Sequence, residues 1–205
     1  MDAKQMMIDR IQKDYQRKIK LFEKIEPPKD VVLVGDSMVA YLNPSLYNLL
    51  DITLQGIAGD TTKGVKERLD LIYRLHPKKV ILSIGSNDLV ILNETPKKVA
   101  ENILSLAYEI EKETHAKVYV VSMTPVIRDH DISNPLYISN RTNEMLEEIN
   151  TILSQTLNHN VFIDLYNDLL DENYNLNPTY STDGIHLNQK GYEIYTKYIK
   201  DILSK

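Results

Sequence analysis

Five short apolar runs, separated by helix-like periodicity, constrain this chain more than any other feature. The first is Val31-Val32-Leu33-Val34, broken by Gly35. Three β-branched residues around one leucine read as a strand buried on both faces, the signature of a parallel strand covered by helices on each side. Ile52-Thr53-Leu54 and the runs at 80–84, 118–122 and 161–165 repeat it. Between and around them lie helical stripes: Val65, Leu69 and Ile72; Val99, Ile103, Leu106 and Ile110 within 97–113; Met145, Ile149, Ile152 and Leu153 within 140–158; Tyr195, Tyr198, Ile199 and Ile202 within 188–203. Strands alternating with helices predict an α/β fold: a five-stranded parallel sheet with helices on both faces, three layers in all. Right-handed crossovers then place every strand's carboxyl end along one edge. Ligands in such sheets bind beyond that edge.

The chain ahead of the first strand, 2–25, carries Ile8, Ile11, Tyr15, Ile19 and Phe22 on one helical face, with charged residues elsewhere, and Pro27-Pro28 ends it. This amphipathic helix (1–27 with its flanks) is expected on the flank of the domain or against a partner subunit, which would make the protein a homodimer.

Composition narrows the partners. The 205 residues suit one α/β domain, 1–205, with a sizeable core. A formal net charge of −5 argues against a nucleic-acid surface, which would show a basic stripe. With no cysteine there is no disulfide framework and no thiol chemistry. No apolar run approaches membrane-spanning length, and the polar start, Met1-Asp2-Ala3-Lys4-Gln5, has no apolar signal core behind it. A cytoplasmic protein acting on a small molecule is the expectation.

Three of the five strands end in polar turns with chemical potential. Ser37 follows the first, and by itself could simply cap the next helix. Gly56-Ile57-Ala58-Gly59-Asp60-Thr61-Thr62 follows the second, and its glycines let backbone N–H groups approach a ligand. Gly85-Ser86-Asn87-Asp88 follows the third, where Asn and Asp could also make a plain turn. Ester hydrolysis by serine needs a nucleophile, a base, an orienter for the base and donors for the oxyanion. Of the five histidines, His186 has the best context, in a glycine-containing turn before the last helix and three residues after Asp183. Asp183 can hold the imidazole in the tautomer that presents a free nitrogen to Ser37. A metal site is the weaker reading, since two ligands are too few.

Taken together, Gly35-Asp36-Ser37, the block from Gly56 to Thr62, Gly85-Ser86-Asn87-Asp88 and Asp183-Gly184-Ile185-His186-Leu187 resemble, in order, the four motifs of the SGNH hydrolases, or GDSL-type esterases. The second block most resembles the platelet-activating-factor acetylhydrolase-like branch. The resemblance implies a flavodoxin-like sheet, Ser37 as nucleophile, His186 as general base and Asp183 as orienter. It also implies an oxyanion hole from the Ser37 and Gly59 backbone amides and the Asn87 side chain, a small acyl group, and no cofactor. Two positions depart from the family. Leu54 stands where an Asn is common, and Met38 where a Leu usually closes the first motif.

Tyr137, Tyr174 and Tyr180, with the long loop at 124–140, are candidates for the substrate pocket, which the modest architecture suggests is shallow. The rival readings are a carbohydrate deacetylase, a lysophospholipase or a thioesterase using the same groups, or a non-catalytic module that holds a ligand at the strand ends.

Overall fold

A computed structural model describes residues 3–159 and 161–204. The elements are α1 (Ala3–Phe22), β1 (Val31–Gly35), α2 (Ser37–Ala40), β2 (Thr53–Gly56), α3 (Thr62–Lys66), α4 (Asp70–Tyr73), β3 (Lys79–Ser83), α5 (Pro96–Thr114), β4 (Lys117–Val121), α6 (Pro135–Ile138), α7 (Asn143–Thr156), β5 (Phe162–Ile163) and α8 (Gln189–Leu203). Residue 2, the expected first residue of the N-terminal helix, lies outside the described residues.

The five strands form one parallel sheet in the order β2-β1-β3-β4-β5. The chain moves outward from β1 to β2, then returns to β1's other side for β3. That reversal between β1 and β3 is the switch point where open α/β sheets leave a crevice. Gly35 ends β1 in register with Gly56 on one side and Ser83 on the other. The turns that follow these three strands therefore open side by side.

The pleat divides the core in two. Val32, Val34, Val80, Leu82, Val118 and Val120 face one way and pack with the inner residues of α3, α4, α5 and α7. Leu33, Ile81, Tyr119 and Val121 face the other way, under Val39 of α2 and Tyr195, Ile199 and Ile202 of α8. Buried strands in a parallel sheet must be apolar on both faces, which is why the five runs stood out without alternation.

Four elements differ from the sequence expectation, the first being α1, which stops at Phe22 rather than running to 25. The helix through Val65, Leu69 and Ile72 is two short helices, and between them Arg68 turns inward to the Asp60 carboxylate. The helix expected from 140 starts at Asn143, capped by the Thr142 hydroxyl, after the separate turn of α6. The last strand pairs over two residues only, Phe162 and Ile163 against Val120 and Val121 of β4.

Candidate active site

Ser37 is the first residue of α2, and it does not cap it. The Asp36 carboxylate accepts from the Met38 amide at 3.0 Å and does that work. The Ser37 hydroxyl stays free to face the crevice. Gly56 makes the approach possible, since a Cβ there would stand 2.3 Å from the Ala40 amide nitrogen of α2. Asp36 is 5% exposed. Burial pushes its carboxyl up to about 6, partly offset by the Met38 amide, Arg141 and His186.

His186 approaches from the opposite side of the crevice. Its Nε2 lies 3.0 Å from Ser37 Oγ, and its Nδ1 lies 2.7 Å from Asp183 Oδ2. The other Asp183 oxygen accepts from the His186 and Ile185 amides at 2.8 and 3.2 Å. One carboxylate thus shapes the turn and orients the ring. A carboxylate accepting from Nδ1–H leaves Nε2 without a proton, ready to accept from the serine. Burial raises the Asp183 carboxyl, but the bonds from His186 outweigh it and hold the group below its usual range. Gly184 sits at φ +88°, a backbone conformation that side chains resist. The 124–140 loop clasps this turn: the Ile127 amide donates to Gly184 O and the Asn134 amide to Asp183 O, both at 2.8 Å.

Gly59 and Asn87 line the cavity with Ser37. The Ser37 and Gly59 amides have no hydrogen-bond acceptor among the described residues. Asn87 Nδ2 donates to Asp60 O at 2.9 Å, which leaves its second proton available. The Asn87 side-chain oxygen accepts from Arg141, whose guanidinium also donates to Tyr137 O and, at 3.0 Å, to Ser86 O. Arg141 is 3% exposed, and burial lowers its pKa to about 10, with Asp36 pulling the other way. Behind Gly59, Arg68 forms a fully buried pair with Asp60, through bonds of 2.9 and 3.0 Å. Asp88 accepts from the Thr62 amide at 3.0 Å and from its hydroxyl. Burial raises Asp88 to about 6. The glycine turn and the Asn87 turn are therefore riveted together by buried polar bonds.

The structure brings Ser37, His186, Gly59 and Asn87 to one cavity, with Asp183 bonded to His186 beside it. Of the three tyrosines expected around it, Tyr137 lines the cavity, with its ring centroid 5.4 Å from that of His186. Tyr174 and Tyr180 do not line it. Tyr174 is a largely exposed residue at φ +61°, and Tyr180 packs against the α8 side of the core. Both precede the catalytic-type turn in sequence, but the chain there runs along the flank before it reaches the crevice.

Tyr41, Arg141 and Arg68 were not anticipated. The Tyr41 ring centroid lies 5.1 Å from that of His186. Arg68 did carry a signal, because it falls three residues after Val65 on the apolar stripe. Arg141 carried none, since its partners are backbone carbonyls and a side chain far away in sequence. The cavity holds about 610 Å³, and α1 supplies one wall of it. Ile11 lies where a Gly59 Cβ would be, and Tyr15 Oη donates to Gly64 O at 2.8 Å. The inner face of that helix is thus spent on the glycine turn.

A flavodoxin-ordered parallel sheet with a serine, a histidine and an aspartate meeting at its switch point defines the class of SGNH-type hydrolases. The chain belongs to the GDSL-like lipase/acylhydrolase family, whose profile matches residues 33–194. Solved structures agree on the fold. One, from Streptococcus pneumonia and named for platelet activating factor, is 23% identical, covers 97% of each chain and has a TM-score of 0.83. A GDSL-like lipase from Bacteroides thetaiotaomicron is 23% identical over 93% of this chain and 97% of its own, with a TM-score of 0.77. The chain is also 27% identical, over 94% of its length, to the N-acylneuraminate cytidylyltransferase of Escherichia coli O18:K1:H7. It spans about half the length of that curated relative, 47%. Among the described residues, no helix is long and apolar enough to cross a membrane.

Proposed function

We propose that the protein is a serine ester hydrolase that removes a small acyl group through an acyl-enzyme on Ser37. The observation that carries this reading is the hydrogen-bonded line from Ser37 Oγ through the His186 ring to Asp183. Ser37 Oγ attacks the ester carbonyl as Nε2 takes its proton. The Ser37 and Gly59 amides and Asn87 Nδ2 receive the oxyanion. On collapse, His186 returns the proton to the leaving alcohol. Water, deprotonated by the same nitrogen, then releases the acid. Asp183 stays ionised throughout and stabilises the imidazolium.

A second reading places the ester on a sugar. It is favoured by the likeness to a protein named for an N-acylneuraminate, an acylated sugar. Both readings use the same groups, and the oriented base favours both over the ligand-holding module, which has no use for one.

The test is hydrolysis of p-nitrophenyl esters from acetate to decanoate by the parent and Ser37→Ala. Activity that peaks at acetate and vanishes in the variant is expected. Labelling of Ser37 by a fluorophosphonate separates an activated serine without a suitable test substrate from an inert one.

A further inference from the structure

The chain is acidic overall, yet the wall that α1 places over the cavity is basic. Arg10, Lys13, Arg17 and Lys18 all line it, against one carboxylate, Asp14. Asp14 is already engaged, since its Oδ1 accepts from Arg17 at 2.6 and 3.0 Å. Among the described residues, Arg10, Lys13 and Lys18 make no ion pair. Positions 10, 13 and 17 recur at helical spacing and run about 10 Å along one face.

The placement of this stripe is set by packing of the same helix's apolar residues. Ile11 seats on Gly59, Tyr15 bonds Gly64 O, and Phe22 is buried under the Arg68 guanidinium, 5.5 Å from its ring centroid. Arg74 closes the helix's end by donating to the carbonyls of Glu23 and Ile25 at 3.1 and 3.0 Å. The helix cannot roll its cations away without losing these contacts. Arg10 also lies within electrostatic reach of Tyr41, whose ring touches His186. A small acyl group fills little of a 610 Å³ cavity, so most of it serves the rest of the substrate.

We propose that α1 is an anion-recognition wall, and that the ester cleaved at Ser37 carries a carboxylate or a phosphate. This rests on the hydrolase reading above and names its substrate class. A charged wall at the mouth of a cleft concentrates an oppositely charged ligand, and the effect fades with salt.

The experiment compares substrates of one shape and different charge: 4-acetoxybenzamide (neutral), 4-acetoxybenzoate and 4-acetoxyphenyl phosphate. The readout is the ratio of kcat/KM for each anion to that for the amide, which cancels general damage to the enzyme. In the parent the ratio should be on the order of tenfold at low salt and fall toward one in 0.5 M (about a 4 Å screening length) sodium chloride. Arg10→Glu/Lys13→Glu should bring it to one or below. The charge-matched Lys97→Glu/Lys112→Glu on exposed α5 positions should leave it as in the parent. A higher ratio for the benzoate or for the phosphate identifies which anion the wall takes.

A parent ratio of one, or a ratio unmoved by Arg10→Glu/Lys13→Glu, overturns the wall while the hydrolase reading stands. No turnover and no fluorophosphonate labelling of Ser37 overturns both. If Ser37 labels without turnover, the ratio is read instead as protection from labelling by the benzoate against the amide, with the same expected and overturning results.

Discussion

The two sides of the crevice are built on opposite electrostatic terms. On the oxyanion side, the charged groups behind the donor turns are buried: Asp36, Asp60, Asp88, Arg68 and Arg141 are all at or below 5% exposed. Burial pushes Asp36 and Asp88 up to about 6. On the base side, the His186 and Asp183 side chains are 14% and 21% exposed, and Asp183 is held below its usual range. The difference matches the tasks that the proposed hydrolysis sets. Oxyanion donors gain from being fixed before the charge develops, so a rigid, dry frame suits them. A base must gain and lose a proton in each cycle, which a partly solvated ring tolerates better than a buried one.

Removing the serine is the largest break. Ser37→Ala should lower kcat on the order of 10⁴–10⁶, with the unfolding midpoint unchanged. It touches neither frame, so a collapse of stability instead would mean the two sides are not separate.

Arg68→Met attacks the oxyanion side's foundation. Leaving Asp60 charged and unpaired should cost about 3–5 kcal/mol of stability in urea titration. An exposed pair such as Lys78–Asp30, 74% and 60% exposed, should cost well under about 1 kcal/mol when broken. Equal losses would erase the contrast drawn here.

Asn87→Ala should lower kcat by roughly 10²–10³ with KM little changed, as loss of one oxyanion donor does. Arg141 acts through Asn87, so Arg141→Met should lower kcat rather than raise KM. The double variant should be little worse than Asn87→Ala alone. Additive losses would give Arg141 a task of its own at the cavity.

The smallest effect is in pH. Asp36 titrates near 6 in the folded state against an ordinary 3.8, so the native state holds the extra proton between those values. Stability of the parent therefore falls as the pH rises through that window. Relative to the parent, Asp36→Asn should gain up to about 3 kcal/mol between pH 4 and 7, measured by denaturant titration at each pH. Asp183 works with the other sign: its contribution is present above its ordinary pKa of 3.8 and is lost as the pH falls below it. A variant without any pH-dependent gain would place Asp36 on the solvated side of the comparison.

Sequence alone determined the parallel sheet, because strands buried on both faces must be apolar throughout, and this composition is visible residue by residue. It also singled out the turns that meet at the cavity, since Gly59, Gly184, Ser37, Asn87, Asp183 and His186 answer to local demands of backbone and motif. Tertiary structure alone decided what surrounds them. Arg141 reaches Asn87 across 54 residues, and Thr62 reaches Asp88 across 26. Tyr174 and Tyr180 are polar-loop tyrosines like Tyr137, yet only Tyr137 is carried to the cavity. The amphipathic stripe of α1 announced a helix but not the surface it would cover. A stripe records only that something apolar lies beneath it, and which partner that is depends on where the whole chain has been led.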